Sequence, residues 1–110
     1  MKSDLVEIIE AIKKFRDARD WQQFHDGKNL AISLTVESTE LLEAFLWKKD
    51  NEADTEKVKH ELADVFYNAF LLADLYGFNV KEILLEKLKI NDSKYPIDKS
   101  KGSNKKYDEL

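Results

Sequence analysis

The 110-residue chain contains no cysteine, one proline and three glycines. Without cysteine there is no disulfide, no thiolate nucleophile and no zinc–thiolate site. So few glycines and prolines leave little material for tight turns, which argues against an all-β fold and for helices joined by few connectors. No run approaches the roughly 18 apolar residues of a membrane span. The opening MKSDLVEIIE turns acidic before a signal-peptide core can form. The expectation is a cytoplasmic protein with no membrane partner. The closing YDEL is similar to an ER-retrieval signal but lacks its lysine, and is read as chance. An excess of positive charge is also missing. Twenty-two acids against 18 bases give a net charge of -4, which argues against nucleic-acid binding.

What is present is 43% hydrophobic and 36% charged residues. That is too apolar for a disordered chain and is the length of one domain. The charge is uneven. From Lys94 to Lys106 there are five lysines and one acid, a local +4, so the remainder is more acidic than the total suggests.

Periodicity divides the chain into four helices. Leu5, Ile8, Ile9, Ile12 and Phe15 recur at helical spacing over residues 3–19, with Ser3 as cap and with Lys13, Lys14, Arg16 and Asp17 occupying much of the other side. A connector, 20–28, carries Trp21, Phe24 and His25. The second helix is expected over 29–48. The third runs from about 54 to 76, opened by Asp54 or Thr55 and stopped by Gly77. Asn79 opens a fourth, with Glu82 at capping-box spacing, and Pro96 ends it. Residues 97–110 read as a basic loop or tail after a domain of residues 1–96. The expected fold is all-α: a single antiparallel four-helix bundle-like domain that oligomerises through its central helices.

The central helices carry acids where apolar residues belong. On the second, Leu30, Leu34, Leu41 and Phe45 centre the apolar face, and Glu37 falls inside that stripe. Glu40 lies on its shoulder. On the third, Val58, Leu62, Val65, Ala69 and Leu72 centre the face, with Glu61, Asp64 and Asn68 along one shoulder. A solvated flank explains many E-x-x-E pairs but explains Glu37 poorly. A buried carboxylate takes up a proton or finds a cation, and residues 29–47 contain no Lys or Arg. A divalent metal answers the problem. Di-iron chemistry would want Glu-x-x-His, whereas His25 follows Gln22 by three and His60 follows Lys57. An all-oxygen donor set suits Mg²⁺, with Mn²⁺ as substitute, and a phosphorylated substrate.

The segments ARDWQQFH (18–25), KNLAISLTVESTELLEAFLWK (28–48), ELADVFYNAFLLA (61–73), KLKINDSKYP (87–96) and KKYDEL (105–110) resemble the MazG-like all-α nucleoside triphosphate pyrophosphohydrolase superfamily, most of all its dCTP pyrophosphatase group. The resemblance implies that Glu37, Glu40, Glu61 and Asp64 ligate Mg²⁺; Glu40 is also taken here as the base that orients the attacking water. It implies cleavage of a nucleoside triphosphate to the monophosphate and pyrophosphate, in house-cleaning of dCTP or modified pyrimidine deoxynucleotides. Trp21 and Trp47 stand in the positions of base-stacking aromatics, with His25 and Asn68 as further substrate contacts. Asn91 and Lys94, with Lys87, are the phosphate-chain candidates. The sequence departs from the pattern at Asp92 and Ser93, where relatives often carry bases, and at Ser38–Thr39, where many have glycine before the second Glu. A homotetramer is implied first and a dimer second. The same chemistry on another NTP, dUTP or phosphoribosyl-ATP, and a non-catalytic helical adaptor, stay open.

Overall fold

The computed structural model describes the backbone of all 110 residues and every side chain except that of Asp50. It is all-helical, and no strand occurs among the described residues. Five α-helices run in the order α1 (Asp4–Ala18), α2 (Gly27–Glu43), α3 (Thr55–Leu75), α4 (Val80–Lys94) and α5 (Ile97–Ser100). Single 3-10 turns lie at Trp21–Phe24, Asp50–Glu52 and Tyr107–Glu109. None of the helices is long and apolar enough to cross a membrane.

The helix ends follow from local hydrogen bonding. Ser3 accepts from the Val6 amide at 3.2 Å, and Asn79 accepts from the Glu82 amide at 3.0 Å. Asp54 takes the amides of Glu56 and Lys57. Each satisfies donors that the first helical turn leaves without a partner. Gly77, at φ 70, ends α3 in the left-handed region that glycine enters without steric penalty.

Both ends of α2 differ from the sequence expectation of 29–48. It starts at Gly27 because Asp26 caps it, accepting from the Asn29 amide at 2.7 Å and from the Asn29 side chain at 3.0 Å. It ends at Glu43 because the ladder tightens to i→i+3 bonds from Ala44, Phe45 and Leu46, after which Trp47 turns to φ 63. The expected loop after Pro96 contains the short helix α5.

The chain forms two compact units, Met1–Gly77 and Phe78–Leu110. In the first, α2 and α3 pack against each other, and α1 packs on α3. The two ring contacts of Phe15, to Trp21 and to Tyr67, tie α1 to the first connector and to α3. α2 and α3 are antiparallel. Gly27, at the start of α2, lies against Tyr76 at the end of α3, while Glu37 further along α2 meets Glu61 near the start of α3.

Few apolar side chains are fully enclosed. Leu30, Ala44, Leu71, Ala73 and Val80 are buried, whereas Phe66, Leu84, Leu85 and Leu88 are each more than half exposed. The buried line of α3 is shifted from the expected one: Asn68 and Leu71 are enclosed, and Leu62 is exposed. Arg16, read from the sequence as part of the outer side of α1, is buried. Its Nε donates to Asp17 at 2.8 Å and its Nη1 to Asp74 at 3.2 Å. Lys13 adds a second cation 3.4 Å from Asp74.

In the second unit, Val80 is buried while the rest of the apolar stripe of α4 faces outward. Tyr107 folds back onto the end of α4, edge-to-face with Tyr95 at a centroid distance of 6.1 Å.

Candidate functional site

Three-residue spacing on two antiparallel helices builds the acidic centre. Glu37 and Glu40 are one turn apart on α2, and Glu61 and Asp64 one turn apart on α3. Glu37, Glu61 and Asp64 each present an oxygen, and these oxygens all lie within 4.8 Å of one another. Glu40 adjoins this group of three without belonging to it. Its carboxyl lies in hydrogen-bonding reach of both Glu37 and Glu61.

The electrostatics are those of crowded like charge. Burial pushes the Glu37 carboxyl up to about 7, and the neighbouring Glu40, Asp64 and Glu61 push in the same direction. Glu61 is raised for similar reasons, burial first and then Glu40 and Asp64, with Lys57 pulling it back. One oxygen of Glu37 and one of Glu61 are buried with no hydrogen-bond partner. Among the described residues, none of the four acids forms a salt bridge. Unpartnered buried carboxylate oxygens are costly. An arrangement of oxygen donors only, with two left bare, fits a hard divalent cation such as Mg²⁺ or Mn²⁺.

Beside this centre an aromatic cleft of about 720 Å³ opens between α1 and α3. Phe15, Trp21, Phe66 and Tyr67 line it, and Asp64 is its link to the acidic group. Trp21 stands edge-on to Phe15 at 5.8 Å. The Arg19 guanidinium lies 3.7 Å over the Phe15 ring, held by a 2.9 Å bond to the Phe15 carbonyl.

The other residues singled out in the sequence fall in varied places. Trp47 is wholly exposed in the turn after α2 and does not line the cleft. His25 leaves Nδ1 buried without a partner, and burial, with the Arg16 charge next, lowers its pKa. Asn68 is enclosed rather than on a shoulder, and its side-chain amide donates to the Asp64 carbonyl at 2.9 Å on its own helix. Tyr67, one position earlier, occupies the cleft wall instead. Lys87, Asn91 and Lys94 belong to the second unit. Lys87 and Lys94 are exposed and Asn91 is half-buried. The Lys94 ammonium sits 4.8 Å from the centre of the Tyr107 ring.

Sequence reasoning missed Phe15 and Tyr67 as cleft residues, and missed Arg16 and Asp74. Arg16 did carry a signal, since it stands four residues after Ile12 and seven after Ile9, on the apolar stripe itself. Tyr67 carried none, because its placement depends on where α1 crosses α3.

An all-α chain with E-x-x-E and E-x-x-D on adjacent antiparallel helices defines a class of carboxylate metal-site proteins, and comparison with known proteins narrows it. The MazG-like family model matches residues 32–110. Mouse dCTP pyrophosphatase 1 is 33% identical over 114 aligned positions, covering 96% of this chain and 67% of its own length. Human dCTP pyrophosphatase 1 is 34% identical with the same coverage. A crystal structure of a pyrophosphatase from Archaeoglobus fulgidus superposes with a TM-score of 0.81 at 33% identity, covering 87% of this chain and 95% of that one. The chain belongs to the MazG-like family, and within it stands near the dCTP pyrophosphatase group.

Proposed function

We propose that this chain, a nucleotide pyrophosphatase by family, hydrolyses a nucleoside triphosphate to the monophosphate and pyrophosphate with Mg²⁺, and that its substrate is dCTP or a modified pyrimidine deoxynucleotide. The observation that carries the reading is the group of three carboxylates, Glu37, Glu61 and Asp64, with Glu40 beside it and two bare, buried oxygens.

In this reading Glu37, Glu40, Glu61 and Asp64 hold the ion. A bound divalent ion supplies charge neutralisation on the phosphate chain and a more acidic water. Glu40 acts as the base: it stands between Glu37 and Glu61 and takes the proton of the attacking water. The aromatic cleft takes the nucleobase, with Trp21 as a stacking surface beside Asp64. Trp47 is assigned to the base, His25 to the base or a phosphate, Asn68 to a sugar or base edge, and Lys87, Asn91 and Lys94 to the phosphates. The protein is proposed to work in the cytoplasm as a homotetramer, with a dimer as second choice. The exposed leucines of α4 support an assembly.

The test is a screen for pyrophosphate release from natural and modified nucleoside triphosphates in the presence of Mg²⁺. Activity is expected on pyrimidine deoxynucleotides and is lost in Glu37→Ala and Asp64→Ala. Full turnover in those variants would remove the metal assignment. A wild-type chain inert on every nucleotide would remove the activity and favour the adaptor.

A further inference from the structure

Trp21 is the ring assigned to the nucleobase, yet its own segment does little to hold it. It opens a 3-10 turn without a side-chain cap, and the preceding Asp20 stands at φ 54, in the left-handed region. The ring is 42% exposed, so enclosure does not fix it either. One corner does. Phe15 meets Trp21 at 5.8 Å with the two rings inclined by 74°, and the Arg19 guanidinium lies 5.8 Å from the centre of the Trp21 ring. The guanidinium is placed from α1. It lies 3.7 Å over the Phe15 ring and donates to the Phe15 carbonyl at 2.9 Å. That carbonyl is in the last turn of α1, where backbone oxygens lack helical partners and a cation is favoured. Among the described residues Arg19 forms no ion pair, so no carboxylate draws it away from the rings. Phe15 also meets Tyr67 edge-on, which makes the corner continuous with the α3 wall of the cleft.

We propose that Arg19 is a positioning residue for nucleobase binding. It covers Phe15 and reaches Trp21, and so holds the Trp21 ring in place before a base arrives. A stacking surface ordered in advance spares the substrate the cost of ordering it. Arginine suits the position because a planar guanidinium stacks on a ring while its N–H groups remain free to meet a carbonyl; an ammonium cannot do both. Arg19 acts through the rings and not on the phosphate chain. The proposal rests on the reading of the cleft as the nucleobase site.

The test combines steady-state hydrolysis of dCTP with NMR of the free protein. Arg19→Ala is expected to raise KM about three- to tenfold and to leave kcat within about twofold. Arg19→Lys keeps the charge without the planar stack and is expected to recover part of the loss. Inorganic triphosphate, a ligand without a base, is expected to inhibit wild type and Arg19→Ala equally. In the absence of any ligand, the indole N–H resonance of Trp21, identified by its loss in Trp21→Phe, is expected to shift in Arg19→Ala. An unchanged KM overturns the proposal, even if the melting temperature falls, because Arg19 would then only cap α1. Weaker inhibition by triphosphate in Arg19→Ala also overturns it, since the charge would then act on phosphates. A wild-type chain inert on every nucleotide overturns the proposed reaction instead, and the indole resonance then decides the positioning role by itself: an unmoved signal overturns it.

Discussion

Asp74 on α3 accepts a hydrogen bond from the buried guanidinium of Arg16 on α1 at 3.2 Å, and this pair fastens the wall of the aromatic cleft that α1 supplies. Asp17 and Asp74 hold the Arg16 guanidinium above its usual range, against the opposing effect of burial. Removing Asp74 leaves Arg16 with only its neighbour Asp17. Breaking a fully buried pair costs about 3–5 kcal/mol, and here Asp74 is partly solvated and one partner survives, so about 2 kcal/mol is expected for Asp74→Ala. Denaturant unfolding monitored by circular dichroism measures it.

The acidic centre should make the metal-free protein less stable as pH rises. The folded-state pKa of Glu37 is raised from 4.5 to about 7. Its contribution is therefore complete below about 4.5 and is lost as pH climbs to about 7. His25 has a lowered pKa and works the other way, losing its contribution as pH falls below 6.5. Comparison with Glu37→Gln isolates the first effect: thermal melts in chelator at pH 5 and pH 8 should show a smaller pH dependence on that side in the variant. Added Mg²⁺ should raise the wild-type melting temperature more at pH 8 than at pH 5, because the ion competes with the proton.

Glu40→Gln tests the proposed base. Loss of a general base typically costs about 10²–10⁴ in rate. Pyrophosphate release is expected to fall by about a hundredfold or more, while the Mg²⁺-dependent rise in melting temperature persists through Glu37, Glu61 and Asp64. Undiminished turnover would assign the base elsewhere.

Tyr67 presents a buried hydroxyl with no partner, and burial raises its pKa. Its ring meets Phe15 edge-on at 6.1 Å, a contact that phenylalanine keeps. Tyr67→Phe is therefore expected to stabilise the free protein by about 1 kcal/mol, since a buried unsatisfied polar group costs about that much or more. The urea midpoint would show it.

Trp47 combines full exposure with φ 63. Trp47→Gly relieves the left-handed backbone and removes no packed surface, so stability should hold or rise by up to about 1 kcal/mol. If the ring stacks on the nucleobase, the same change should raise KM by about five- to 150-fold. An unchanged KM would end the stacking assignment for Trp47.

The features legible in the sequence were those governed by neighbours in the chain. Ser3, Asp54, Asn79 and Gly77 act at helix ends through bonds spanning a few residues, and the structure places each as the sequence implies. The convergence of Glu37, Glu61 and Asp64 was legible too, because three-residue spacing fixes each pair and a short connector makes the helices antiparallel. What the sequence concealed depends on tertiary geometry. The helical spacing put Asn68 on a shoulder and gave Tyr67 no role, but α3 packs on α1 as well as α2, and that second contact decides which residue is enclosed and which lines the cleft. The end of α2 was misplaced because Ala44, Phe45 and Leu46 keep helical periodicity while their amides shift to i→i+3 partners. Arg16 was misjudged on residue type alone, since its burial depends on Asp74, 58 positions away.

The antiparallel pairing of α2 with α3 also bears on how the chain comes to be functional. All four acids lie between residues 37 and 64, on one helical hairpin. The loop that must close to unite them is short, and such local contacts form quickly relative to pairings between distant segments. During synthesis all four acids of the proposed metal site emerge before α4 and the lysine-rich tail. A nascent chain could thus be fastened by a metal ion at its hairpin while the rest is still being made, so that metal supply would influence the order of folding as well as the finished activity.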